Sequence, residues 1–320
     1  MWERLSAELV RALRGKWSQE AVNRRLGYTS NALHTWETGA RQPRASDFFR
    51  LAALTKIAVP KVLERFALRR DLRLPSKLDQ RTAALFIANL VEGHSAVRLA
   101  AVIGCNRNTV SRWIAGTTEP RLPELLRLVD AVTHRLMDFV AAFADPSTLP
   151  AVSVAYRDLM EQRRIAYELP WSHAVLRVLE LSSYKDLPRH EDGFIASRIG
   201  ITREREREYL RALSLAKQIR KRGGKWVVLR ILTVDTGTDP ARNIELKQHW
   251  ARVGVERLDT KRLESGALFS YNLFAISEDG LEKLRAAHLE YYERLRAIVA
   301  ESKDPERLFL ANVQLIPLDR

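Results

Sequence analysis

Apolar positions in the first seventy residues recur at helical spacing, as in Leu5, Leu9, Val10 and Leu13 and again in Ala21, Val22 and Leu26. This is the period expected when each helix buries one face. Five short helices fit the segment. Ser18 predicts the N-cap of the second helix, and Gly27 its left-handed stop. Thr29 or Ser30 is expected to cap the third, with Leu33 and Trp36 turned inward at an i, i+3 spacing and Gly39 ending it. Pro43 and Ser46 open a fourth helix, whose Phe49, Leu51, Ala52 and Leu54 cover the bundle, and Pro60 begins a fifth.

The pattern returns 77 positions later. Ser18, Gly27, Asn31, Trp36, Gly39, Pro43, Arg44, Arg50 and Leu51 are matched without a gap by Ser95, Gly104, Asn108, Trp113, Gly116, Pro120, Arg121, Arg127 and Leu128. Leu9, Val10 and Leu13 are matched in the same way by Phe86, Ile87 and Leu90. An internal duplication accounts for one constant offset better than chance does. The Arg69-Arg70 to Lys77 stretch, with Pro75, reads as a linker, and Asp145 to Pro150 as a second boundary.

Farther along, helices are expected around Tyr156 to Tyr167 and Trp171 to Leu181. Phe194 to Ile201, then Thr202 and a helix carrying Tyr209, Leu210 and Leu213, resemble the paired helices of a winged helix. Gly223-Gly224, between Ile219 and Trp226 to Leu229, would turn the hairpin wing. A helix near Ala241 to Leu258 precedes a β-rich run, Leu268 to Ile276, that predicts a strand. Ser277 starts a long helix through Val299, and Phe309 to Leu318 predicts a last strand.

The expected fold is therefore mainly α: two tandem five-helix bundles, then a winged-helix-like segment and a small α+β C-terminal domain. The corresponding domains are 1–70, 78–145, 151–235 and 236–320, the last serving dimerisation or sensing.

Charge narrows the function. The 320 residues carry a net charge of +14, which favours a polyanionic partner. Lys and Arg outnumber Asp and Glu by 14 to 6 over residues 1–70 and by 17 to 11 over 157–235. The balance is 7 to 6 over 78–144 and 13 to 14 over 236–320. One cysteine, Cys105, excludes an intrachain disulfide framework and suits a reducing compartment. With no leader pattern and no long apolar run, a soluble cytoplasmic protein without a membrane partner is expected.

A helix-turn-helix reads double-stranded DNA by setting its second helix in the major groove while the first crosses the backbone. In the first copy Thr29, Ser30, Asn31 and His34 lie at the start or on the outer face of that helix, opposite Leu33 and Trp36. Asn31 is the favoured base reader, because a carboxamide can donate and accept together at adenine. Gln19 is placed for a phosphate, and Arg41 and Arg44 would neutralise phosphates. In the second copy the surface holds Asn106, Arg107, Asn108, Ser111 and Arg112, where an Arg suits guanine. That copy either touches DNA or is retained for packing or dimerisation.

The succession Ser-Gln-Glu, Gly, Asn, Trp-Glu-Thr-Gly and Arg-Gln-Pro-Arg at residues 18 to 44 resembles the Xre type of helix-turn-helix, the Cro and lambda-repressor-like family. The resemblance implies a five-helix bundle over residues 1–68 that binds operators as a homodimer. The second copy departs where Ala96 and Ile114 replace Gln19 and Glu37. From about Tyr156 to the closing Val313 to Leu318 run, the chain is similar to a domain of unknown function that follows such domains in some bacterial regulators.

Other features read more plainly as structure. Arg203, Arg205, Arg207 and Arg211 interleave with Glu204, Glu206 and Glu208, as on a solvated, salt-bridged helix. The Arg220-Lys221-Arg222 and Lys225 cluster is less compensated. Cys105 fills a turn rather than senses oxidants. His190-Glu191-Asp192 lacks metal-ligand spacing, and Trp171, Trp226 and Trp250 read as core aromatics. His34 has an alternative as a solvated helix-face residue.

No phosphate-cradling loop, nucleophile elbow or His-Glu-x-x-His pair is present, so neither an enzyme nor a cofactor is expected. The leading reading is a sequence-specific, dimeric transcription regulator. The alternatives are an antitoxin-like protein-interaction module, with DNA binding serving autoregulation, and a ligand sensor using residues 152 to 258.

Overall fold

A computed structural model describes residues 1–67, 72–229, 239–258 and 267–318. The protein is mainly helical, and its one described sheet is a two-stranded hairpin. The chain divides into two compact units, Met1–Met160 and Glu161–Arg320.

In the first unit, five helices are α1 (Trp2–Arg14), α2 (Gln19–Leu26), α3 (Ala32–Thr38), α4 (Ala45–Leu54) and α5 (Val59–Glu64). A second five follow as α6 (Gln80–Leu90), α7 (Ala96–Ile103), α8 (Arg107–Ile114), α9 (Leu122–Thr133) and α10 (Leu136–Ala141). The sequence suggested a separate core for each set, but both contribute to a single one. Phe48 and Phe49 of the first set and Phe86 and Phe139 of the second are all fully buried in it. Phe139 meets Phe66 edge-on at 5.3 Å, and Phe143 meets Phe48 at 4.8 Å. A ten-helix core removes more apolar area from water than two short bundles could. Part of the expected linker joins it: Leu74 is buried and its N–H donates to Glu64 Oε1 at 3.0 Å. Arg69 and Arg70 lie outside the described residues.

The local signals act as their chemistry predicts. Ser18 Oγ accepts from Ala21 N at 3.2 Å, capping α2. Gly27, with φ of 81°, ends α2 in the left-handed conformation that a Cβ disfavours. The start of α3 differs from expectation, since Asn31 and not Thr29 or Ser30 is its cap. The reason is tertiary and lies in the site below.

In the second unit, α11 (Ser153–Glu168) runs in from the first. It is followed by α12 (Ser172–Val178), α13 (Ser182–Lys185), α14 (Phe194–Ile199) and α15 (Arg203–Leu215). Strands β1 (Ile219–Arg222) and β2 (Lys225–Val228) pair antiparallel around Gly223-Gly224, with Lys221 opposite Trp226. Thr202 Oγ1 accepts from Arg205 N and caps α15. Ile195, Ile199, Tyr209, Leu213 and Ile219 close a second core against Val175, Val178 and Tyr184.

Helix α16 (Pro240–Glu256) and the long α17 (Glu278–Glu301) follow, the latter capped by Ser277. The strands expected at Leu268 to Ile276 and Phe309 to Leu318 are not formed. Both stretches lack regular secondary structure and are largely exposed, Leu268 at 95% and Leu318 at 78%. High β-propensity makes a strand only where a neighbouring strand supplies the ladder.

Candidate nucleic-acid interface

The turn between α2 and α3 is held by one buried side chain. Asn23, 5% exposed, accepts the Leu33 N–H on its Oδ1 at 3.0 Å and donates from Nδ2 to Asn31 Oδ1 at 3.0 Å. Asn31 Oδ1 also takes the His34 N–H at 3.3 Å, making Asn31 the cap of α3. Its oxygen is thus spent inside the protein, so the accept-and-donate adenine contact expected of it would require breaking the cap. Thr29 and Ser30 remain exposed in the turn before α3, and His34 on the helix away from the buried Leu33 and Trp36. Tyr28 stands edge-on to Trp36 at 5.4 Å. Burial first, and contact with the Asp47 carboxylate second, push the Tyr28 phenol up to about 12.

A second network fixes the other end of α3. Glu37, 6% exposed, accepts from Arg14 Nε and from Gln19 Nε2 at 2.7 Å, while its backbone carbonyl accepts from Arg11. Arg14 also donates to Trp17 O at 2.8 Å. A carboxylate buried this deeply requires a cation and hydrogen bonds around it. These contacts tie α1, α2 and α3 together. Gln19, expected at a phosphate, therefore directs its amide to Glu37. Arg41 and Arg44 are exposed beyond the end of α3.

The second five helices keep the frame and lose the polar clamp. Gly104 and Gly116 have φ of 80° and 69°, as Gly27 and Gly39 have 81° and 79°. Tyr28 N donates to Asn23 O and Cys105 N to Ala100 O, both at 2.9 Å. Arg50 donates to Leu26 O at 3.2 Å, and Arg127 to Ile103 O at 3.1 Å. However, Ala100 stands where the first set has Asn23, and Ala88, Val91, Ala96 and Ile114 stand for Arg11, Arg14, Gln19 and Glu37. Without the asparagine clamp, α8 starts early, using Asn106 as its own cap, with Oδ1 accepting from Asn108 N at 2.9 Å. Asn106 thus has a capping role. Arg107, Asn108, Ser111 and Arg112 are exposed on α8, while Val110 and Trp113 are buried.

The two sets meet along a reciprocal seam. Ala45 N donates to Pro120 O at 3.0 Å, and Leu122 N donates to Pro43 O at 2.9 Å. Arg44 and Arg121 face each other in this antiparallel bridge, and both are exposed. Ser46 donates from N and Oγ to Glu119, each at 2.9 Å, and Arg121 Nη1 donates to Gln42 O at 3.1 Å.

Sequence reasoning missed Asn23, Arg11 and Arg14 and gave Glu37 no structural role. A polar residue on the inner face of α2, in line with Val22 and Leu26, was the available signal for Asn23. Among the described residues, no group of three His, Cys, Asp or Glu side chains could hold a metal ion. Cys105 is half-buried, and burial, followed by the Glu124 charge, pushes its thiol up. That is opposite to what a redox-sensing thiolate needs.

In the second unit, the face of α15 that looks outward is mixed. Arg207 pairs with Asp192 and Arg205 with Glu208, while Glu206 is fully buried and accepts from Ala196 N at 2.6 Å. Around the hairpin turn Arg220, Lys221 and Arg222 are exposed, and Lys225 Nζ donates to Lys185 O. Trp171 packs edge-on to Trp250 at 5.2 Å, and His190 is hydrogen bonded to Tyr184 Oη at 3.2 Å.

No helix among the described residues is long and apolar enough to cross a membrane. Residues 7–64 match the model of a helix-turn-helix domain, which identifies the N-terminal part as a DNA-binding regulator module. No curated protein and no solved structure matches the chain. Residues 155–318, just over half of the 320, match the model described as domain of unknown function (DUF4423). By that match, the chain belongs to the DUF4423 family.

Proposed function

We propose that this protein is a cytoplasmic, sequence-specific transcription regulator of the Xre type, with the first helix-turn-helix as principal reader and the second five helices as a duplicated, auxiliary one. The observation that carries the reading is the helix-turn-helix match over residues 7–64, together with Thr29 and Ser30 exposed in the turn before α3 and His34 exposed on the helix away from the buried Leu33 and Trp36. A recognition helix needs such a polar outer face, backed by a rigid core. Arg41 and Arg44 meet phosphates, and the chain acts by binding, not catalysis, without a cofactor.

The α14–α15 pair with its hairpin, whose turn exposes Arg220, Lys221 and Arg222, supports a winged-helix reading of the second unit. The exposed apolar runs at 267–277 and 308–318 support a further reading, in which the C-terminal part joins a second copy or another protein. Selection of duplexes from a random pool by the full chain, followed by titration at two salt concentrations, tests the main reading. A motif preferred about a thousandfold over a scrambled duplex is the expected result. Weak binding with no motif would overturn it and move the protein-interaction reading forward.

A further inference from the structure

We infer that one chain reads a composite operator made of two unlike half-sites, the second helix set standing where a dimeric reader places its partner subunit. The inference rests on the DNA-reading function proposed above and specifies its target.

The seam carries the argument. In an isologous contact residue i of one body meets j of the other, and j meets i. Ala45 N to Pro120 O and Leu122 N to Pro43 O are one bond and its counterpart, shifted by the same 77 positions that relate the two sets. The relation extends through the packing. Helix α1 lies on α9 and α6 on α4, so each first helix packs against the fourth helix of the other set. Glu3 on α1 bonds Arg127 on α9 at 2.8 Å. A local two-fold therefore passes between Arg44 and Arg121.

Distances along the chain place the reading helices suitably. Residues 39–44 join the end of α3 to the seam, and 115–121 join the end of α8 to it. Stretches of this length span at most about 25 Å. Each reading helix thus ends within that reach of the two-fold, on opposite sides, a bound that accommodates half-sites about 34 Å apart. Arg44 and Arg121, opposite each other and exposed, repel at this point. Phosphate between the half-sites relieves that repulsion.

The two reading faces differ in chemistry. Around α3 the exposed groups include Thr29, Ser30, Asn31 and His34, whereas α8 presents Arg107, Asn108, Ser111 and Arg112, so the asparagine is shared and the two arginines belong to α8 alone. Guanidinium groups favour guanine O6 and N7, while hydroxyls contact either kind of base pair. A homodimer doubles one preference into a palindrome. This chain joins two different preferences, with a guanine-rich half-site assigned to α8.

Selection from a random duplex pool with three full-length proteins tests the inference: the natural chain, S30A/H34A and R107A/R112A. All four changed positions are exposed, and circular dichroism melts verify that each protein is folded. The expected result is one asymmetric element whose half-site centres lie about 10 base pairs apart. S30A/H34A should lose about ten- to a hundredfold of base preference in one half only, and R107A/R112A in the other half only. A palindrome degraded equally in both halves by either variant would overturn the inference and leave DNA reading intact. So would a single half-site indifferent to R107A/R112A. An absence of any enriched motif with all three proteins would instead defeat the DNA-reading function itself, and the inference with it.

Discussion

Asn23 donates to Asn31 Oδ1 at 3.0 Å while its own Oδ1 holds the Leu33 N–H, so one buried carboxamide sets where α3 begins. Asn23→Ala leaves a buried backbone donor unpaired and releases the cap, and should lower stability by about 1–3 kcal/mol. Urea denaturation of the full chain measures this. A loss within about 0.5 kcal/mol, the range of an inconsequential surface change, would show that the clamp does not hold the turn.

Glu37 offers a coupling test. Replacing it alone by the residue of the second set, Glu37→Ile, strands Arg14 and Gln19 and should cost about 2–4 kcal/mol, given that Arg14 is only a quarter exposed. Combining it with Arg11→Ala, Arg14→Val and Gln19→Ala reproduces the apolar arrangement of Ala88, Val91, Ala96 and Ile114. The fourfold variant should cost less than the sum of its single changes. Strict additivity would mean that these groups do not act as one network.

Two histidines of the second unit give it a pH dependence. Burial holds His190 and His249 below the ordinary histidine value of 6.5. For a depressed histidine, the unfolded chain takes up a proton first as pH falls, so stability present above 6.5 is lost on acidification below it. Amide exchange in residues 161–229 should therefore quicken between pH 7.5 and 5 when corrected for intrinsic rates. Unchanged protection over that range would contradict the burial assigned to these rings.

Cys105 should react slowly. With its thiol pushed up by burial and by Glu124, alkylation at pH 7.5 should proceed well below the rate of the same cysteine in the urea-unfolded chain. Equal rates would mean that the turn before α8 is open to solvent.

Arg44 bears on charge alone. Arg44→Ala should weaken specific and scrambled duplexes alike and reduce the slope of log affinity against log salt by about 0.9. A loss confined to one sequence would give Arg44 a base-reading role instead.

Much of the first unit is legible in the sequence because its signals are local. Ser18 as cap, Gly27 as stop and the inward pair Leu33 and Trp36 each depend on neighbours within a turn or two of the chain. The hairpin around Gly223-Gly224 is legible for the same reason. The start of α3 is not, since Asn31 becomes its cap through Asn23, a side chain eight residues away. Nor is the single core legible, because Phe66 meeting Phe139 joins positions that no local pattern relates. Leu268 to Ile276 has the composition of a strand, yet a strand is a relation between two segments, and composition names one. Of the residues expected to meet DNA, Thr29, Ser30, His34, Arg107, Asn108, Ser111 and Arg112 are exposed, whereas Gln19, Asn31 and Asn106 bond within the protein.

The seam between Pro43–Ala45 and Pro120–Leu122 closes within one polypeptide. When two subunits meet across such a contact, their equilibrium contains the protein concentration, and dilution separates them. Here concentration drops out. The cost of bringing the two ends together is a loop-closure entropy that grows only with the logarithm of the intervening length. At a few molecules per cell, where a weak homodimer falls apart, each copy of this chain still holds the two helix sets of its first unit in register.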